Sequence, residues 1–198
     1  MSARLEWKGG TEAELLVRGG RVVDPRTGHD SVADVRIATG SVVEIGESLE
    51  PRGGEEYIVE ADGCLVMPAF TDPHVHLRTP GQEHKETIST GTAAAAAGGY
   101  CQLLAMPNTY PVIDGPELLA GVLSRMAREA VVPTGQLGAV TRGLEGHELT
   151  EMDMMRTAGA AGFTDDGRPI ADAGVMRRAL RYQEITGAVL ALHEEEPA

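Results

Sequence analysis

Lysine is almost missing from this chain. Among 17 basic residues in 198 it appears only at Lys8 and Lys85, and arginine supplies the rest. Basic charge as a whole is short. Thirty acidic residues outweigh it and leave a formal charge of −13, which argues against a nucleic-acid or anionic-membrane surface. Cysteine is scarce: Cys64 and Cys101 are far apart and form no Cys-x-x-Cys clip. Such usage fits a reducing, cytoplasmic compartment, and both are expected to be ordinary buried thiols. No apolar h-region follows Met1, and no run approaches the roughly 18 apolar residues of a membrane span. Internal repeats, a Gly-x-Gly-x-x-Gly fingerprint and a P-loop are also absent.

What is present is ordinary globular composition, 42% hydrophobic and 24% charged. From residue 14 to about 67, short alternating runs are bounded by Gly, Pro and Asp: Leu15–Val17, Val22–Val23, Val35–Ile37, Val42–Ile45 and Tyr57–Ala61. This pattern predicts antiparallel hairpins. The pattern then changes. Leu65–Phe70 is a continuous apolar run, which suits a strand buried on both faces of a parallel sheet. Further strands are expected at Cys101–Met106, within Val131–Val140, at Ala160–Phe163 and at Ala188–Leu192. Helices are expected between them: about Glu83–Ala97, one opened by Pro116 with Leu119, Val122, Leu123 and Met126 on one face, one started by a Thr150/Asp153 capping box, and one capped by Asp172 that carries Val175, Met176, Ala179 and Leu180. Alternating strands and helices make an α/β chain with a parallel sheet.

The polar residues of this second part fall just after the strands. His74, His76 and Arg78 follow the first, Asn108 the second, Thr141 the third, Asp165 and Asp166 the fourth, and His193 ends the fifth. All would gather at the C-terminal face of the sheet, where barrel enzymes keep their chemistry. In an extended strand alternate side chains share a face, so His74 and His76 project together and Arg78 follows on the same side. Two imidazoles, a carboxylate and a further imidazole are a donor set for zinc or another divalent first-row metal. The chemistry implied is metal-assisted attack of water on an amide-like carbon. Spacing alone leaves Asp165 and Asp166 equal as the carboxylate donor. His29, His84 and His147 lie in polar or exposed positions without a ligand pattern.

Four segments in this order, Asp72–Arg78, Pro80–Thr87, Met106–Thr109 and Phe163–Gly167, resemble the amidohydrolase superfamily, and within it the long-chain bacterial dihydroorotases. The resemblance implies a metal-dependent (β/α)8 barrel, residues 67–198 holding its first five strands. It implies that residues 1–66 are the N-terminal part of a small composite β-sandwich of urease-like type. His74, His76, Asp166 and His193 would hold one or two zinc ions, and Arg78 and Asn108 would hold the substrate carboxylate. The implied reaction is reversible cyclisation of N-carbamoyl-L-aspartate to L-dihydroorotate in pyrimidine synthesis, by an enzyme that forms homo-oligomers. Related hydantoinases, dihydropyrimidinases and allantoinases bridge their metals with a carbamylated lysine on the fourth strand. Here no lysine follows Lys85, so an aspartate would serve. Relatives have a cysteine after the last histidine, where this chain has Glu194. The family supplies a further histidine and its catalytic aspartate from later strands, expected beyond residue 198, so the chain reads as an N-terminal fragment. Two other readings follow from the same resemblance: another cyclic-amide hydrolase, and a non-catalytic partner of aspartate transcarbamoylase.

Overall fold

The structure is a computed structural model and describes residues 4–10, 13–193 and 195. It divides into two units, one made of the described residues of 10–69 and the other of those of 1–9 and 70–198. Among the described residues no helix is long and apolar enough to cross a membrane.

The smaller unit is a sheet of five strands: β1 (Leu15–Asp24), β2 (His29–Ala38), β3 (Ser41–Gly46), β4 (Tyr57–Glu60) and β5 (Leu65–Val66). The order is β3-β2-β1-β4, with β5 also paired to β1. β1, β2 and β3 are the expected antiparallel hairpins, but β4 and β5 pair parallel to β1. The reason is the segment 47–56, which carries the chain across to the far edge of the sheet instead of turning it back beside β3. β1 is irregular between Val17 and Gly20. Gly19 there has φ +71°, and its N–H donates to Asp34 Oδ1 at 2.8 Å. Val22, Ala33 and Val35 form the small core. Beside them Arg36 is buried and satisfied by Glu44, by Glu56 Oε1 at 2.8 Å and by the Glu50 carbonyl.

In the larger unit, strands and helices alternate: β6 (Phe70–Val75), α1 (Ile88–Ala97), β7 (Tyr100–Ala105), α2 (Pro116–Glu129), β8 (Thr134–Gly138), α3 (Met152–Ala158), β9 (Gly162–Phe163) and α4 (Ala173–Thr186). The sheet order is β6-β7-β8-β9, every pair parallel. α2 buries the face its sequence predicts against this sheet, and α4 buries part of its own. Leu119, Val122, Leu123 and Met126 of α2, Met152 and Met155 of α3, and Ala179 of α4 join Ile88, Val140 and Phe163 in one core. Deep in the sheet, the Gln136 amide donates to the Ala105 and Leu137 carbonyls at 3.0 and 2.9 Å.

Several expectations need correction. The run Leu65–Phe70 is not one buried strand. Pro68 interrupts it, Leu65 and Val66 pair with β1, and β6 starts only at Phe70. β6 has β7 as its one neighbour among the described residues, so Phe70 is exposed. α1 starts at Ile88, not Glu83, because Thr87 and Thr90 close a capping box while Glu83 instead accepts from Gly81 N–H and Arg125. Thr150 does not cap α3; it is buried, and its hydroxyl donates to the Ala139 carbonyl at 2.8 Å. Leu180 is exposed, since the buried stripe of α4 is Val175 and Ala179. The expected fifth strand is reduced to a parallel bridge between Phe163 and Leu190. Cys64 and Cys101 are exposed, one in a turn and one near the start of β7.

Candidate metal centre

Parallel pairing aligns the strand ends. Val75 is opposite Ala105, Ala105 opposite Gln136, and Gly138 opposite Phe163. The residues that follow each strand therefore emerge along one edge of the sheet. His74 lies within β6, its N–H held by Asp72 Oδ1 at 3.0 Å, and His76 follows the strand directly. Their rings stand 5.3 Å apart at 67°. Asp166 comes from the turn after β9 and is buried. Its Oδ1 lies 3.1 Å from His74 Nε2, and its Oδ2 lies 3.6 Å from His76 Nε2. One ligand atom from each of these three residues lies within 4.8 Å of the others. His193 reaches Asp166 Oδ1 through Nδ1 at 3.6 Å, and its Nε2 faces Glu195 at 2.9 Å. Glu194 lies outside the described residues.

The two aspartates of the turn part company. Asp165 turns back to β8, accepting from the Val140 and Thr141 amides at 2.8 and 3.0 Å and from the Thr141 hydroxyl. Burial pushes the Asp165 carboxyl above its ordinary range, against the pull of the Thr141 and Val140 hydrogen bonds. Nothing in the spacing distinguished the two, and only this pairing does. Thr141, placed at the sheet edge by sequence, is thereby an anchor for the turn.

Asn108 follows β7 and lies between two of the donors. Its Nδ2 donates to Asp166 Oδ2 at 2.7 Å, and its Oδ1 is 3.0 Å from His76 Nδ1. Arg78 departs from expectation. β6 has ended and Arg78 has φ +54°, so strand alternation does not extend to it. The residue is half-buried, and its guanidinium makes no hydrogen bond or ion pair among the described residues. The loop that carries it is tied to the Asn108 loop. Tyr110 N–H donates to the Pro80 carbonyl at 3.1 Å, and a Cβ on Gly81 (φ +88°) would sit 1.8 Å from the Tyr110 oxygen. A cleft of about 260 Å³ opens beside Asp166 and Asn108, with Thr109, Leu144 and Arg168 also lining it.

A parallel sheet flanked by helices, with one histidine in its first strand, a second just after it and a buried aspartate after the fourth, corresponds to part of an amidohydrolase barrel. The chain belongs to the dihydro-orotase-like family, whose model matches residues 63–196. It is 42% identical to a dihydroorotase of Lactococcus lactis over 92% of its length, 43% of that relative. It is 44% identical to a dihydroorotase of Anaeromyxobacter over 92% of its length, 42% of that relative. The chain thus spans less than half the length of these curated relatives. Among solved structures, the L-hydantoinase of Arthrobacter aurescens superimposes with a TM-score of 0.75 at 21% identity, over 92% of this chain and 41% of that one. A dihydroorotase does so with a TM-score of 0.66 at 14% identity, over 93% and 52%. These likenesses show the fold.

Proposed function

We propose that the protein acts as a dihydroorotase, interconverting N-carbamoyl-L-aspartate and L-dihydroorotate. The observation that carries this is the convergence of His74, His76 and Asp166 within 4.8 Å, in a family whose curated relatives bear that name. The donor set fits zinc: two imidazole nitrogens and a carboxylate, with His193 beside the same carboxylate. Zinc bound there would supply Lewis acidity toward an amide carbonyl and toward water.

The chain's own residues account for the rest. Ring closure joins the carbamoyl nitrogen to the side-chain carboxyl and expels water, leaving the α-carboxylate untouched. Arg78 has a guanidinium unpaired among the described residues, suited to two-point contact with that carboxylate. Asn108 keeps a second N–H beyond the one given to Asp166, and this can point at the same group. Asp166, rather than a lysine, stands after the fourth strand, which supports dihydroorotate over hydantoin as substrate.

The test is an assay of the full protein with dihydroorotate, hydantoin and allantoin, together with elemental analysis. Turnover of dihydroorotate by zinc-bearing protein is expected. Faster turnover of hydantoin or allantoin would overturn the substrate assignment. Protein that binds no metal would favour the non-catalytic partner of aspartate transcarbamoylase.

A further inference from the structure

The chemistry of Asn108's two partners decides how its amide is oriented. An ionised carboxylate only accepts hydrogen bonds, so the NH2 end must face Asp166, 2.7 Å away. The carbonyl end then faces His76 Nδ1 at 3.0 Å. A carbonyl also only accepts, so Nδ1 must carry the proton. In a neutral imidazole the lone pair is then on Nε2, the nitrogen that approaches Asp166 Oδ2 at 3.6 Å.

The geometry points to Asn108 as a positioning residue that fixes the Nδ1–H tautomer of His76 and aims its Nε2 lone pair at the metal. This rests on the metal reading above. The residue type matters. A serine hydroxyl could donate to Asp166 and accept from Nδ1 only through a single oxygen on a short side chain, whereas the asparagine amide presents a separate atom to each partner. An aspartate would accept from Nδ1 but would set a second carboxylate against Asp166. The asparagine amide meets a donor on one side and a carboxylate on the other, and keeps one N–H spare. Fixing the tautomer of a ligating histidine through its other ring nitrogen is how outer partners raise metal affinity.

Two measurements on the full protein test this. The first is 15N–1H correlation spectroscopy of the His76 ring in metal-free protein, at a pH well above the ordinary imidazole pKa of about 6.5. The wild type is expected to be Nδ1-protonated. Asn108→Ala is expected to mix the tautomers, while Asn108→Asp keeps the Nδ1–H form because an acceptor remains. The second is zinc affinity by chelator competition, where Asn108→Ala is expected to weaken binding about 10- to 100-fold. A wild-type His76 protonated on Nε2 overturns the inference. So does an Asn108→Ala protein with unchanged tautomer and unchanged zinc affinity. If Asn108→Ala fails to fold, the wild-type and Asn108→Asp spectra still decide. His74→Ala and Asp166→Ala separate the two readings: zinc affinity unchanged in both sinks the metal centre itself, whereas loss in both with no change in Asn108→Ala sinks only the role of Asn108.

Discussion

Asp165 and Asp166 are neighbours in the chain whose carboxylates serve different strands. Asp165 accepts from two backbone amides and a hydroxyl just after β8, and Asp166 faces His74 in β6 and His76 just after it. One anchors the turn, and the other is presented by it. Their alanine variants should therefore fail differently. Asp165→Ala strands two buried amides and is expected to cost about 2–3 kcal/mol of stability, read by chemical denaturation. Asp166→Ala is expected to leave most of that stability intact and to abolish tight zinc binding. Equal stability losses in the two variants would contradict this division.

His74→Ala removes a donor of the cluster rather than a support. Zinc affinity should fall by more than the about 100-fold typical of losing an outer partner. Isothermal titration of wild type and variant with zinc is the direct comparison.

Asp34 gives the small sheet an acid-sensitive joint. The Leu49 and Gly19 amides hold its carboxyl below the ordinary range. The folded state thus binds this proton less readily than the unfolded state. The stability it supplies is complete above the unfolded pKa of about 3.9 and is lost as pH falls through the lower folded value. Asp34→Asn is expected to be less stable at neutral pH by about 1–3 kcal/mol. Thermal melts of the two proteins should converge as the pH is lowered past 4 or so; parallel curves would exclude Asp34 as the source.

Gly81 faces the Tyr110 carbonyl with no room for a side chain. Gly81→Ala must also hold alanine at φ +88°. A loss exceeding about 1 kcal/mol is expected, with weaker binding of dihydroorotate because the Arg78 and Asn108 loops separate. Urea melts and substrate KM would show the two effects, and an unchanged KM would detach Gly81 from the proposed carboxylate site.

Phe163 is fully buried at the end of β9, just before the two aspartates. Phe163→Ala is expected to cost about 3–5 kcal/mol and to loosen Asp166 with it. Denaturation at fixed zinc, repeated without zinc, would reveal both.

Much of this arrangement was legible in the residues. The apolar stripe of α2 and the Asp172 cap follow from local periodicity and capping, which short-range sterics enforce. The order of polar residues after successive strands foretold a shared edge, because parallel strands bring their C-terminal ends together. Other features depended on partners distant in the chain. Whether β4 runs parallel to β1 depends on the path of the segment 47–56. The buried state expected of Cys64 and Cys101 failed because exposure is a property of the packed sheet, not of the residue.

The sequence by itself determined that two imidazoles and a carboxylate would be delivered to one edge, since alternating strands and helices imply a parallel sheet whose strand ends lie together. Only the tertiary structure decided which aspartate faces them and what Asn108 holds. A turn can present either of two adjacent carboxylates, and the choice is made by buried amides at Val140 and Thr141 that capture Asp165 and leave Asp166 to the histidines.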